Sequence, residues 1–366
     1  MKNKVLTALL LLLCLQALPF AAFGGEKAVK PGNPAAYLTT KAQRLSLATL
    51  HDIDDGKLYT IDYTADYRLD KMLKSNVDGV RSCISFVEKH LLKEGAKADI
   101  KAGGGCSAFA VRAGDGKVIY GRNFDYKMDM TAVLIRTAPK GGYVSIGLAD
   151  AGWVGYGIGS LGDGVSDISM AVGLPYLIMD GMNEKGLAVS VFYLDGEPAR
   201  QNTGKPKIMT TVAMRLMLDR AANVDEALAL VGQYDMQSAM PDANFHFLIS
   251  DASGRSVVLE YCGNKQSVLD EHYVTNFYLD PSMKGLGHGK DRYEILKSVL
   301  AFKKDVLSEK EAMSLLEMVS QPETEASTSM TQWSVVYNLT DLNATVAIRR
   351  EYEKLFRFSI NDISGK

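Results

Sequence analysis

Three stretches of this chain are patterned to fold back on themselves, and all three lie after residue 105. Ser107–Arg112 and Lys117–Arg122 are apolar-rich runs around Gly114-Asp115-Gly116. FHFLISD and SVVLEY flank Ala252-Ser253-Gly254-Arg255, and SVVYNLTDLNATVAIRR lies near the C-terminus. Short apolar runs divided by Gly, Asp or Asn read as antiparallel hairpins, because those residues tolerate the backbone angles of a tight reversal. Further strand-like runs fall at Ala132–Arg136, Tyr143–Leu148 and Leu187–Leu194. Helical patterns separate these blocks: 206–233, where Asn223 and Glu226 are spaced as a capping pair, 291–304, and a segment opened by Ser308 with Glu311. Hairpins alternating with helices imply an α+β architecture of antiparallel sheets layered with helices.

The N-terminus carries a different signal. Met1-Lys2-Asn3-Lys4 is basic, Val5 to Phe23 is apolar apart from Thr7 and Gln16, and Ala22-Phe23-Gly24 offers small residues at the positions a signal peptidase reads. Residues 1–24 are therefore expected to be a signal peptide, with Pro19 and the small-residue exit favouring cleavage over a membrane anchor, and the product is expected to be periplasmic or secreted. A net charge of −2 leaves no electrostatic footprint for nucleic acid. Export leaves Cys83, Cys106 and Cys262 in an oxidising compartment. Three is odd, so at least one is free or bonded to another molecule. Cys83 and Cys262 are either buried thiols or a disulfide. From Leu45 to Gly95 the pattern reads as mostly helical, Val77, Val80, Ile84, Val87 and Leu91 forming one apolar face.

The segment from Gly103 to Tyr126, GGGCSAFAVRAGDGKVIYGRNFDY, carries the chemistry. A chain cut between Gly105 and Cys106 would place a thiol and an α-amine on one residue. An α-amine titrates at about 7.7–8.0, so it can serve as base for its own side chain at neutral pH. The three preceding glycines permit the backbone bend that brings the thiol onto the Gly105 carbonyl. The hairpin returns Arg122 and Asp125 towards Cys106; a guanidinium favours thiolate and a carboxylate can hold an amine. By spacing alone the segment also fits a buried structural cysteine on a glycine-rich turn.

These residues resemble the choloylglycine hydrolase and penicillin V acylase family of N-terminal-nucleophile hydrolases, to which acid ceramidase is related. The shared pattern is Cys106, Arg122 sixteen positions later and Asp125 nineteen positions later, the last two in GRNFD. DGMNEKGL from Asp180, YVTN with Asn276, Asp291-Arg292-Tyr293 and TQWSVVYN around Trp333 resemble further family segments. The resemblance implies a four-layer αββα sandwich, with Cys106 as nucleophile opening a central strand. It implies Asn276 in the oxyanion hole, Arg122 and Arg292 as active-site arginines, and Asp125 orienting the amine. Tyr193 stands where bile salt hydrolases carry Asn, as in penicillin V acylases, and is expected to touch substrate. The Asn276-to-Arg292 interval is shorter than in the bile salt enzymes. The long stretch before Cys106 is similar to acid ceramidase, implying a propeptide over 25–105 that self-cleavage releases as a non-covalent subunit.

The expected protein is thus a self-processing amidase acting through an acyl-thioester on a fatty-acyl, aryloxyacetyl or bile-acid amide. A bile salt hydrolase proper and a non-catalytic lipid-binding protein are the alternatives; a homo-oligomer stays open. No His, Cys, Asp or Glu spacing implies a metal, and no cofactor is expected. His246 and His272 are candidates for a papain-like Cys–His pair with Cys106 or Cys262, but His246 reads better as a satisfied sheet residue. The glycine-rich run 155–164 lacks a nucleotide-loop frame and reads as a substrate-pocket loop.

Overall fold

The computed structural model describes residues 37–94, 105–126, 130–162, 167–322 and 330–365. The expected signal peptide and the Gly103-Gly104 part of the glycine run lie outside these residues. Two sheets face each other. The larger has nine strands, in the order His51–Asp52, Leu58–Tyr63, Ala132–Thr137, Ser145–Asp150, Ile178–Asn183, Ala188–Leu194, Asn244–Ser250, Ser256–Cys262 and Lys265–Leu269. The smaller has six: Tyr273–Val274, Gly105–Arg112, Val118–Tyr126, Met330–Asn338, Asn343–Ile348 and Leu355–Ser359. Helix Thr210–Arg220 packs on the larger sheet and carries Val224–Val231 beside it, while Lys290–Lys303 and Glu309–Met318 pack on the smaller. Helix, sheet, sheet and helix make the four expected layers of an α+β sandwich.

Strand periodicity explains the layering. Along Gly105–Arg112, Cys106, Ala108 and Ala110 enter the core between the sheets, while Phe109 and Val111 enter a second core under the outer helices. Alternate side chains of one strand point to opposite faces, so a strand in the middle of a sandwich must be apolar on both. Gly121, paired with Phe109, is needed because an added Cβ would stand 2.6 Å from the Phe109 ring. The helix caps are those the sequence implies: Asn223 accepts the N–H of Glu226, and Ser308 forms a capping box with Glu311.

The N-terminal segment departs from the expected mostly helical structure. Lys41–Leu47 and Val80–Leu91 are helical, but Leu58–Tyr63 is a buried strand pairing in parallel with Ala132–Thr137. A strand acquires its hydrogen bonds from a distant partner, so local pattern is a weak guide to it. Tyr67 Oη donates to Asp219 Oδ2 at 2.6 Å, and the Val80 amide donates to Ala239 O. Cys83, Cys106 and Cys262 are all free. The disulfide left open between Cys83 and Cys262 is therefore absent. Cys83 is buried on helix Val80–Leu91, and Cys262 ends a strand of the larger sheet.

Candidate active site

Cys106 is the second residue of its strand and faces Phe124 across the hairpin, while Ala108 faces Arg122. Arg122 is thus a diagonal neighbour of Cys106 on the same sheet face, within reach of a long side chain. Its Nη2 lies 3.4 Å from Cys106 Sγ. The guanidinium is fixed on every side: Nη1 donates to Asn123 O, and Nη2 donates to Val191 O at 2.8 Å and to Met179 O. It lies over the Phe124 and Phe192 rings, 5.0 and 5.4 Å from their centroids. Its Nε stands 3.1 Å from Asp180 Oδ2. Asp180, on the larger sheet, also accepts from Trp333 Nε1 at 2.9 Å and Tyr337 Oη at 2.6 Å, both on the smaller. Sequence reading used Asp180 only as the start of a family segment. A lone acid in the buried run Ile178–Asn183 was the available signal, since a buried carboxylate needs partners.

Asp125 has the opposite parity and leaves the other face, towards the helices. It accepts from Arg292 Nη1 at 3.1 Å, Gln321 Nε2 at 2.9 Å and Thr331 Oγ1 at 2.5 Å. Gln321 escaped the sequence reading and Thr331 entered it only as the first residue of TQWSVVYN, because nothing local to them marks an acid partner. Arg292 Nη1 also donates to Cys106 O at 2.7 Å. Gly289, at φ +78°, lets the guanidinium fold back, because an added Cβ there would meet Arg292 Nη2 at 2.6 Å.

Asn276 joins the two halves. Its Oδ1 accepts the Cys106 N–H at 2.6 Å and Arg292 Nη2 at 2.9 Å, and its Nδ2 donates to Tyr193 O at 2.9 Å. With Gly105 and Cys106 joined by a peptide bond, the Cys106 N–H goes to Asn276 Oδ1 and Asp125 meets Arg292, whose Nη1 also donates to Cys106 O. Tyr193 enters through its carbonyl; its half-buried ring lies edge-on to Phe245 and tilted against His288. Burial pushes the Cys106 thiol pKa up, and Arg122 opposes that rise.

Two spaces flank this cluster. A small apolar void of about 30 Å³, lined by Val80, Met179, Val191 and Phe245, lies behind Arg122, which donates to the Met179 and Val191 carbonyls. A more polar cleft of about 350 Å³ is lined by His288, Asp291, Arg292 and Gln321. The described part of the glycine-rich run, 155–162, instead meets the N-terminal segment, with Gly159 N–H on Gly56 O. Neither proposed Cys–His pair exists: His246 bonds Glu260 and Thr275 O, and His272 lies by Asp305.

Residues 106–279 match the model of the linear amide C–N hydrolases, choloylglycine hydrolase family. That stretch of the chain belongs to this family. Penicillin V acylase of Pectobacterium atrosepticum is 31% identical over 108 residues, 27% of this chain and 28% of the acylase. The chain matches about a third or less of the length of its curated relatives. A variant of the conjugated bile acid hydrolase from Clostridium perfringens superposes with TM-score 0.52 at 17% identity, covering 70% of this chain and 92% of that one. Penicillin V acylase from Agrobacterium tumefaciens superposes with TM-score 0.50 at 16% identity, covering 70% and 86%. At such identities the likeness is one of fold. The choloylglycine hydrolase family domain here has the α+β fold of the N-terminal-nucleophile hydrolases.

Proposed function

We propose that this choloylglycine hydrolase family protein is an exported, self-processing cysteine amidase that hydrolyses linear amides. The observation that carries the reading is the placement of Cys106, with Sγ beside Arg122 and its nitrogen on Asn276 Oδ1. In the uncut chain Sγ attacks the Gly105 carbonyl carbon, and the acyl group moves from nitrogen to sulfur. Water then hydrolyses the thioester, leaving a free α-amine on Cys106. In turnover that amine takes the thiol proton while sulfur attacks the substrate carbonyl. Asn276 Nδ2, with one hydrogen on Tyr193 O, has a second for the oxyanion. A donor of that kind contributes roughly 3–4 kcal/mol. The ammonium protonates the leaving nitrogen, and water releases the acid from the thioester.

The acyl group goes towards the apolar side, where the rings of Tyr193 and Phe245 favour an aromatic or linear chain over a rigid steroid. Fatty-acyl and aryloxyacetyl amides are the proposed substrates, with bile-acid conjugates poorer. The processed N-terminal segment stays as a subunit, since its strand Leu58–Tyr63 belongs to the larger sheet. The test is a mass spectrum of purified protein followed by an amide panel. Two fragments meeting at Gly105/Cys106 with release of acid support the enzyme. One intact chain that binds a fatty amide without hydrolysing it would leave a lipid-binding protein instead.

A further inference from the structure

His246 and Glu260 form a fully buried pair on adjacent strands of the larger sheet, with no contact to Cys106. His246 Nδ1 is 3.0 Å from Glu260 Oε1, and Nε2 is 2.8 Å from Thr275 O. A carbonyl only accepts, so Nε2 carries a hydrogen and donates it to Thr275. Glu260 also takes the N–H groups of Leu279 at 2.8 Å and Asp280 at 3.0 Å. The pair thus grips the 275–280 segment at both ends. Between those grips stands Asn276, whose amide holds the Cys106 nitrogen. Two apolar side chains would fill the same space without the desolvation cost of ionisable groups. Every side-chain polar atom of the pair is spent on this one segment or on its partner, apart from a 3.9 Å contact of Cys262 Sγ with Glu260 Oε2.

We propose that His246 and Glu260 are positioning residues for Asn276, acting through the Thr275 carbonyl and the Leu279 and Asp280 amides. This rests on the reading of Asn276 as a group that acts on the reacting atoms. Loss of the His246 donor frees the Thr275 peptide to rotate and shifts the Asn276 side chain off the Cys106 nitrogen. Displacements of about 1 Å in such groups cost on the order of 100-fold in rate.

The experiment is a double-mutant cycle on the processed protein with both fragments present, with phenoxyacetyl 4-nitroanilide as probe. Asn276→Ala is expected to lower kcat by about 100- to 1000-fold. His246→Asn is expected to lower kcat by about 30-fold with KM within about threefold, the signature of a defect felt in the transition state. His246→Gln, whose side-chain amide can still reach Thr275 O, is expected to recover most of that loss. In the Asn276→Ala background, His246→Asn should cost no more than about twofold, because its route of action is already gone. Equal cost in both backgrounds, or a Gln variant as impaired as Asn, overturns the proposal while leaving Asn276 in place. An Asn276→Ala variant with wild-type kcat sinks the reading of Asn276 itself, and the inference with it. Should His246→Asn yield no folded chain, Glu260→Gln takes its place in the cycle and the same outcomes decide.

Discussion

Arg122 Nε lies 3.1 Å from Asp180 Oδ2, so the arginine that touches the Cys106 sulfur is anchored by an acid on the opposite sheet. Both side chains are fully buried. Removing one partner of such a pair strands the other charge in the core, at about 3–5 kcal/mol. Asp180→Asn is therefore expected to lower the melting temperature markedly and to slow alkylation of Cys106 by iodoacetamide. A variant with wild-type melting and alkylation would show that the pair does not hold Arg122.

The proposed self-cleavage uses the Cys106 thiol. Cys106→Ala is expected to accumulate as one uncut chain, while the wild type yields a new N-terminus at Cys106. Mass spectrometry of both after identical expression decides. Cleavage at the same bond in Cys106→Ala would assign the cut to an outside protease.

The N-terminal segment is held by a sheet strand and by the Tyr67–Asp219 hydrogen bond. Native gel filtration of processed protein is expected to recover both fragments in one peak. Tyr67→Phe deletes a buried donor to the Asp219 carboxylate and should destabilise the assembly by about 1–3 kcal/mol in urea unfolding. Separation of the fragments without denaturant would contradict this account.

The proposed substrate preference rests on the wall formed by Tyr193 and Phe245. Tyr193 and Phe245 stand edge-on, with ring centroids 6.2 Å apart, and ring contacts add about 0.5–1.5 kcal/mol beyond burial. Phenoxyacetyl and fatty-acyl amides are expected to exceed glycine or taurine conjugates of cholate in kcat/KM, and Tyr193→Asn should narrow the gap. A bile conjugate preferred by tenfold, about 1.4 kcal/mol, would reverse the assignment.

Asp150 supplies a pH signature. Burial raises its pKa to about 7, while the Gly152 N–H opposes the rise. Its folded pKa thus lies above the unfolded value of about 3.9. The folded state then holds the proton more tightly, so its contribution is complete below about pH 4 and is lost as pH climbs towards 7. Asp150→Asn keeps an acceptor for Gly152 and cannot ionise. In an uncut Cys106→Ala background, the urea midpoint of the Asp150 form should fall between pH 4 and pH 7 more steeply than that of Asp150→Asn. Parallel pH profiles would refute the assignment.

What the sequence determined by itself is local. The hairpin turn, the caps at Asn223 and Ser308, and the parity of Cys106 and Arg122 all follow from period-two and capping rules that act within one element. Parity also sends the Asp125 side chain to the opposite face from that of Arg122. Tertiary structure decided the rest. Leu58–Tyr63 became a strand only because Ala132–Thr137 offered it a parallel partner. Asp180 meets Arg122, and Gln321 and Thr331 meet Asp125, because two sheets and a helix layer bring distant acids and donors together. The Asn276 amide reaches Cys106 from 170 residues away in the chain. Those contacts satisfy buried polar groups whose partners only packing can supply, and packing between layers leaves no periodic mark on the chain.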